Sequence, residues 1–211
     1  MDKLRKVGGM AAITEACIYI LLFTYFAAYH NYPAGAGVAE KLSYLKDHRL
    51  VISVMYLIGY VGFGIALAVL VLAVHDQIRQ RSPVLSRLSA IFGILWVGLV
   101  IAAGMLADAS LAAAVGLASK DSERAFSIYS TISVVVEGIG GGNEIVGGLW
   151  VLLVSIAAIG GAFSRPLSYF GILVGVAGVA TIVPGEWIKQ IFGLSQILWF
   201  AWLGVSLLRN R

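Results

Sequence analysis

LVISVMYLIGYVGFGIALAVLVLAV, residues 50–74, contains no charged side chain and is interrupted only by the small residues Ser53, Gly59, Gly62 and Gly64. A helix needs about 20 apolar residues to cross a hydrocarbon layer roughly 30 Å thick. This stretch is therefore long enough to span a bilayer by itself. The composition of the whole chain agrees. Of its 211 residues 60% are hydrophobic and 12% charged, with a mean hydropathy of +0.91, whereas soluble domains carry about 25% charged residues. A soluble fold of this composition would expose large apolar patches and aggregate. The chain reads as an all-α, polytopic transmembrane helical bundle, one domain over residues 1–211.

Toward the N-terminus, Asn31 to Gly37 is rich in turn residues and includes Pro33. Before it an apolar run extends from Ala11 to about Ala28, behind Lys3, Arg5 and Lys6. A basic start before an apolar run also describes a signal peptide. The length of the run, its aromatic end (Tyr25, Phe26, Tyr29) and the further runs behind it favour a retained first span. Val38, Leu42 and Leu45 recur at helical spacing opposite Glu40, Lys41, Lys46 and Asp47, the pattern of a short helix lying on a membrane surface.

Toward the C-terminus, His75 to Arg87 is polar and basic. A third span begins near Leu88 and reaches Ala107; Asp108 follows, and Ala109 to Ala118 stays apolar, so this helix is expected to be long, tilted and to extend past the membrane. Lys120 to Arg124 is a charged loop. Ala125 to Ile139 has one apolar face and a stripe of Ser127, Ser130, Thr131 and Glu137, and is too short to span comfortably. Gly138 to Gly142 holds four glycines in five residues. Asn143 then suits a helix N-cap, and Glu144 suits the positive end of a helix dipole. A fourth span is expected over Glu144 to Phe163, a fifth over Leu167 to Val183 and a sixth over Trp187 to Leu208. The turns between them hold Arg165-Pro166 and Pro184-Gly185.

Six spans with the N-terminus inside place nine basic residues in cytoplasmic segments (Lys3, Arg5, Lys6, Arg79, Arg81, Arg87, Arg165, Arg209, Arg211). Six lie outside (Lys41, Lys46, Arg49, Lys120, Arg124, Lys189). That bias has the expected sign. If Ala125 to Ile139 also crossed, Arg165, Arg209 and Arg211 would move outside and the bias would vanish. Six crossings, with Ala125 to Ile139 interfacial or re-entrant, is the preferred arrangement, and seven is the alternative. Topology also accounts for the net charge of +4 and the pI of about 9.3. No Lys/Arg-rich run or basic-aromatic surface points to nucleic acid.

The Lys6-to-Gly9 opening, the loop ending in Asp47-His48-Arg49, the glycine-rich start of the fourth span and the close Ile197-Leu-Trp-Phe-Ala-Trp-Leu-Gly204 before Leu207-Leu208-Arg209 carry a resemblance. The chain resembles the bacterial families of small six-span membrane proteins known only as domains of unknown function. That resemblance implies a bacterial inner-membrane protein with both termini cytoplasmic. It implies no activity and carries over no functional residues.

No cofactor can be named from the sequence. Cys17 is the single cysteine, so no intrachain disulfide forms, and no Cys/His spacing suits a metal. His30, His48 and His75 flank apolar runs instead of lying within them, which disfavours haem. No Ser sits in a G-x-S-x-G elbow, and no βαβ unit precedes the glycine run.

Charge inside a bilayer is costly, so carboxylates in or beside the spans are the candidate residues of a ligand cavity. Glu15 lies inside the first span. It reads either as a proton or cation ligand facing the bundle, or as a carboxylate bonded to another helix or to the interface. Asp108 points into a cavity or marks where the third helix leaves the membrane. Glu137, Asn143 and Glu144 flank the glycine break, and broken helices at membrane depth line cavities because their freed backbone groups need partners. Glu186 and Lys189, three apart, suit an ion pair; the alternative is that Lys189 neutralises Glu137 or Glu144. Gly171 and Gly175 form a G-x-x-x-G face for helix packing, and a homodimer through it would supply the half that a chain without a clear inverted repeat lacks. Three functions follow: a protein binding or transporting a small or lipid-like molecule, a membrane enzyme acting on a lipid or isoprenoid with Glu137 or Glu144 as acid/base, or an accessory subunit.

Overall fold

A computed structural model describes residues 2–141, 144–183 and 185–209, and the regular structure among them is entirely helical. Helix α1 (Asp2–Thr24) runs on into a π-helical stretch, Tyr25–Tyr29. A short α2 (Val38–Asp47) follows. Helix α3 (Arg49–Tyr56), a π-helical stretch Leu57–Gly62 and α4 (Phe63–Ile78) form one continuous rod over the decisive apolar stretch. Helix α5 (Pro83–Leu117) has 35 residues, and α6 (Ser122–Val136) ends in a third π-helical stretch, Glu137–Gly141. The remaining helices are α7 (Ile145–Ala158), α8 (Arg165–Ala180) and α9 (Glu186–Arg209).

Local chemistry sets the ends. Pro83 and Pro166 stand in the first turns of α5 and α8, where a missing N–H costs no helical bond. Asp121 caps α6, its carboxylate accepting from the Arg124 amide at 3.0 Å, which starts that helix three residues earlier than the expected Ala125.

Among the described residues, five helices are long and apolar enough to cross a membrane: Lys3–Tyr29, Arg49–Ile78, Pro83–Leu117, Ser122–Ala158 and Trp187–Arg209. Helix α8 is shorter. An outward belt of Leu50, Ile65, Leu72, Ile91, Ile94, Met105, Leu173 and Leu198 forms the apolar surface that lipid would cover. Inside, Leu67, Leu70, Trp96, Trp150, Val154, Trp199 and Phe200 form the main core.

The ends of the bundle are tied by specific contacts. Arg5 donates to the Leu207 carbonyl at 2.6 Å. Gly8 lies against Ala73, whose Cβ a methyl group there would meet at 2.2 Å. Arg81 donates to the Gly160 carbonyl and Ser82 to that of Ala157, each at 3.2 Å. The chain start, the α4–α5 turn, the α7–α8 turn and the end of α9 therefore share one end of the molecule.

At the other end α5 overhangs. At 1.5 Å per residue its length is about 52 Å, well beyond one hydrocarbon layer. The overhang carries a second small core of Leu42, Leu45, Ile52, Leu111, Ala114 and Ala125. This corrects the expectation for α2. Its apolar stripe is buried against α5 and α6, because a protein surface at the overhang satisfies the same stripe that a membrane surface would. Beside it Tyr44 stacks on His48, with centroids 4.1 Å apart, and meets His30 edge-on.

Helices α7 and α8 meet backbone to backbone. A Cβ on Gly148 would come within 2.5 Å of the Val179 nitrogen, and one on Gly175 within 2.6 Å of the Leu152 nitrogen. Gly171 lies against Ser155 and the Trp199 indole. The G-x-x-x-G face is thus filled by the chain's own α7 and α9, and a homodimer through it would have to displace them.

Candidate ligand cavity

The three π-helical stretches lie around one cavity. Tyr25–Tyr29 contributes Phe26, Leu57–Gly62 contributes Tyr60 and Gly59, and Glu137–Gly141 contributes Glu137 and Gly140. Such widened turns recur at functional sites because they shift the side-chain register and loosen backbone bonding. Gly140 turns the chain sharply, at φ +129°, a conformation that favours glycine.

The larger chamber measures about 590 Å³ and an adjoining one about 260 Å³. They share Tyr19, Phe23, Phe26, Tyr56, Tyr60 and Glu144. Phe192 of α9, Ala107 and Ser110 of α5 and Ser133 of α6 are also in the wall of the larger one. An aromatic ladder backs it: Tyr19 meets Phe63 edge-on at 5.4 Å, Phe63 meets Trp96 at 5.5 Å, and Trp96 meets Trp150 at 5.8 Å.

Glu144 is held on two sides. Its backbone N–H donates to the Thr181 hydroxyl at 2.8 Å, and that hydroxyl donates to the Gly178 carbonyl at 2.7 Å. Its Oε2 accepts the Trp96 indole N–H at 2.9 Å. Elements α5 and α8 thereby fix a carboxyl group on the wall of both chambers. Glu137 also lines the larger chamber, half exposed, and is hydrogen-bonded and ion-paired to Lys189. Of the two arrangements expected for Lys189, the structure thus displays the contact across to Glu137; the side chain of Glu186 lies outside what is described.

The other candidates are placed differently. Glu15 is wholly buried on α1, does not line either chamber, and neither of its carboxyl oxygens has a hydrogen-bond partner. It sits one turn from Tyr19, which lies within electrostatic reach of both Glu15 and Glu144. Asp108 faces α3 and accepts from the Ser53 hydroxyl, while its neighbours Ala107 and Ser110 line the cavity. Asn143 and Gly142 lie outside the described residues, as do Pro184 and Arg211. No group of three metal-ligating side chains forms among the described residues.

Sequence reasoning missed Gln196 and Thr181, and it missed the bond from Trp96 to Glu144. Gln196 is fully buried in α9, accepts the Tyr19 hydroxyl at 2.6 Å, and leaves its amide nitrogen without an acceptor. An amide in the middle of an apolar span was the available signal. In comparisons with known proteins, the chain matches no protein-family model, no curated protein and no solved structure.

Proposed function

We propose that this chain is a six-crossing membrane protein that binds a small amphipathic molecule in the cavity between α1, α3–α4, α5, α6 and α9. The cavity itself carries the reading. Its 590 Å³ falls in the range of about 300–1,000 Å³ usual for small-molecule sites. Six of its fifteen lining residues are aromatic and six more are serine, glutamine, glutamate or lysine, which suits a ligand with an apolar body and a polar end. Six crossings are supported by the shared end of the α4–α5 and α7–α8 turns, which lets α6 and α7 together count as one crossing and α8 as the fifth. Both termini then lie on one side, cytoplasmic by the bias of basic residues, and a bacterial inner membrane is the setting that the resemblance implies. An acid/base role suits Glu137 poorly, since its carboxylate is committed to Lys189.

The test is native mass spectrometry of the gently extracted protein beside Ser133→Trp, which fills the larger chamber from an exposed position on α6. A small-molecule or lipid adduct is expected on the wild type and is expected to be lost from the folded variant. An adduct retained at full occupancy in Ser133→Trp would move the ligand elsewhere and end this reading.

A further inference from the structure

Resting on that reading, we infer that the polar end of the ligand is a cation, an amine or quaternary ammonium group seated between the Glu144 carboxylate and the rings of Tyr19 and Tyr60. The backbone of Glu144 is held by Thr181 and its carboxyl group by Trp96 before any ligand arrives, and the residue lines both chambers. Glu144 takes part in neither the Asp76–Arg79 nor the Glu137–Lys189 ion pair. The titratable acids and bases lining the larger chamber, tyrosines aside, are Glu137, Glu144 and Lys189; Lys189 is paired with Glu137, so a cation bound beside Glu144 would balance the charge of that carboxylate. A carboxyl group in a dry setting either holds a proton or needs a positive charge beside it, and a cationic ligand supplies that charge. Tyr19, Phe23, Phe26, Tyr56, Tyr60 and Phe192 supply π faces around the same space, and a cation over such faces is attracted by the ring quadrupole. An anionic head group would meet the uncompensated carboxylate instead.

The experiment uses the full chain in lipid nanodiscs and two probes of one shape, a phenylalkyl trimethylammonium and its neutral tert-butyl isostere. Binding is read by quenching of tryptophan fluorescence. The wild type is expected to prefer the cation by about 10-fold or more, in line with a desolvated cation–π contact plus a carboxylate. Glu144→Gln keeps an acceptor for the Trp96 indole but removes the charge, and is expected to abolish the preference while still binding the neutral probe. Tyr60→Leu, which leaves Glu144 untouched, is expected to reduce the preference several-fold. Equal affinity for the two probes in the wild type, or a preference that survives Glu144→Gln, overturns the cation while leaving the cavity in place. Failure of both probes to bind, or binding of both unaltered by Ser133→Trp, overturns the cavity reading and the cation with it.

Discussion

Glu15 is buried completely and neither carboxyl oxygen is bonded. A buried polar group left without a partner costs about 1–3 kcal/mol. Replacing it with an apolar side chain of similar length removes that cost and loses no bond. Glu15→Met is therefore expected to stabilise the protein by about 1–3 kcal/mol, read as a higher midpoint of thermal unfolding in the same detergent. A lower midpoint would mean that the carboxyl holds a bound partner in the membrane. Of the four carboxylates that stand out in or beside apolar runs, Glu137 and Glu144 line the cavity, whereas Glu15 and Asp108 do not. Gln196 carries no charge and its partner Tyr19 lies 177 positions away, so no local spacing announces the pair. Only the fold brings the Trp96 indole N–H to Glu144, 48 positions away.

Among the elements, the α7–α8 pair depends most on what its residues lack. A methyl group on Gly148 would press on the backbone of α8 at Val179, Gly178 and Gly175, and backbone has no rotamer by which to yield. Gly148→Ala is expected to cost about 1–3 kcal/mol, the usual penalty of overpacking. Gly98 on α5 has no atom within 4 Å of a Cβ built there, so Gly98→Ala is expected to be neutral or slightly stabilising by the better helix propensity of alanine. Thermal unfolding of the two variants beside the wild type checks the contrast; a Gly148→Ala protein as stable as Gly98→Ala would mean that α7 and α8 do not approach as closely as their backbones lie here. The G-x-x-x-G spacing was legible as a packing face. Its partner was not, because small residues permit close approach without naming the helix that makes it. The apolar stripe of α2 was legible in the same limited way: the sequence specifies a face to be buried, and α5 and α6, not lipid, bury it. Of the π-helical stretches only Glu137–Gly141 left a signal, its glycines; Tyr25–Tyr29 and Leu57–Gly62 are built of ordinary span residues.

For the whole molecule the decisive question is how many times the chain crosses, and run length alone leaves it between six and seven. Lengths identify Arg49–Ile78 and Pro83–Leu117 as spans at once, but Ser122–Ala158 is one apolar region bent at Gly140. Its two arms give one crossing or two depending on where α6 runs. Helix α6 leaves the end of α5 and packs back along the overhang. Helix α7 then ends beside the α4–α5 turn, where Arg81 and Ser82 bond to the carbonyls of Gly160 and Ala157. Two turns in hydrogen-bond contact lie on one side of a bilayer, which supports six crossings. The arrangement is checked in a Cys17→Ser background by placing single cysteines at Gln80, Ser164 and Lys120 and labelling intact cells with an impermeant maleimide. Positions 80 and 164 are expected to stay unlabelled until the cells are permeabilised, while position 120 reacts at once. Labelling of position 164 together with 120, and not with 80, would mean that α6 crosses separately. The bonds from Arg81 and Ser82 would then be impossible, and the cavity, which is built from the fold of α6 against α5, would have to be given up along with them.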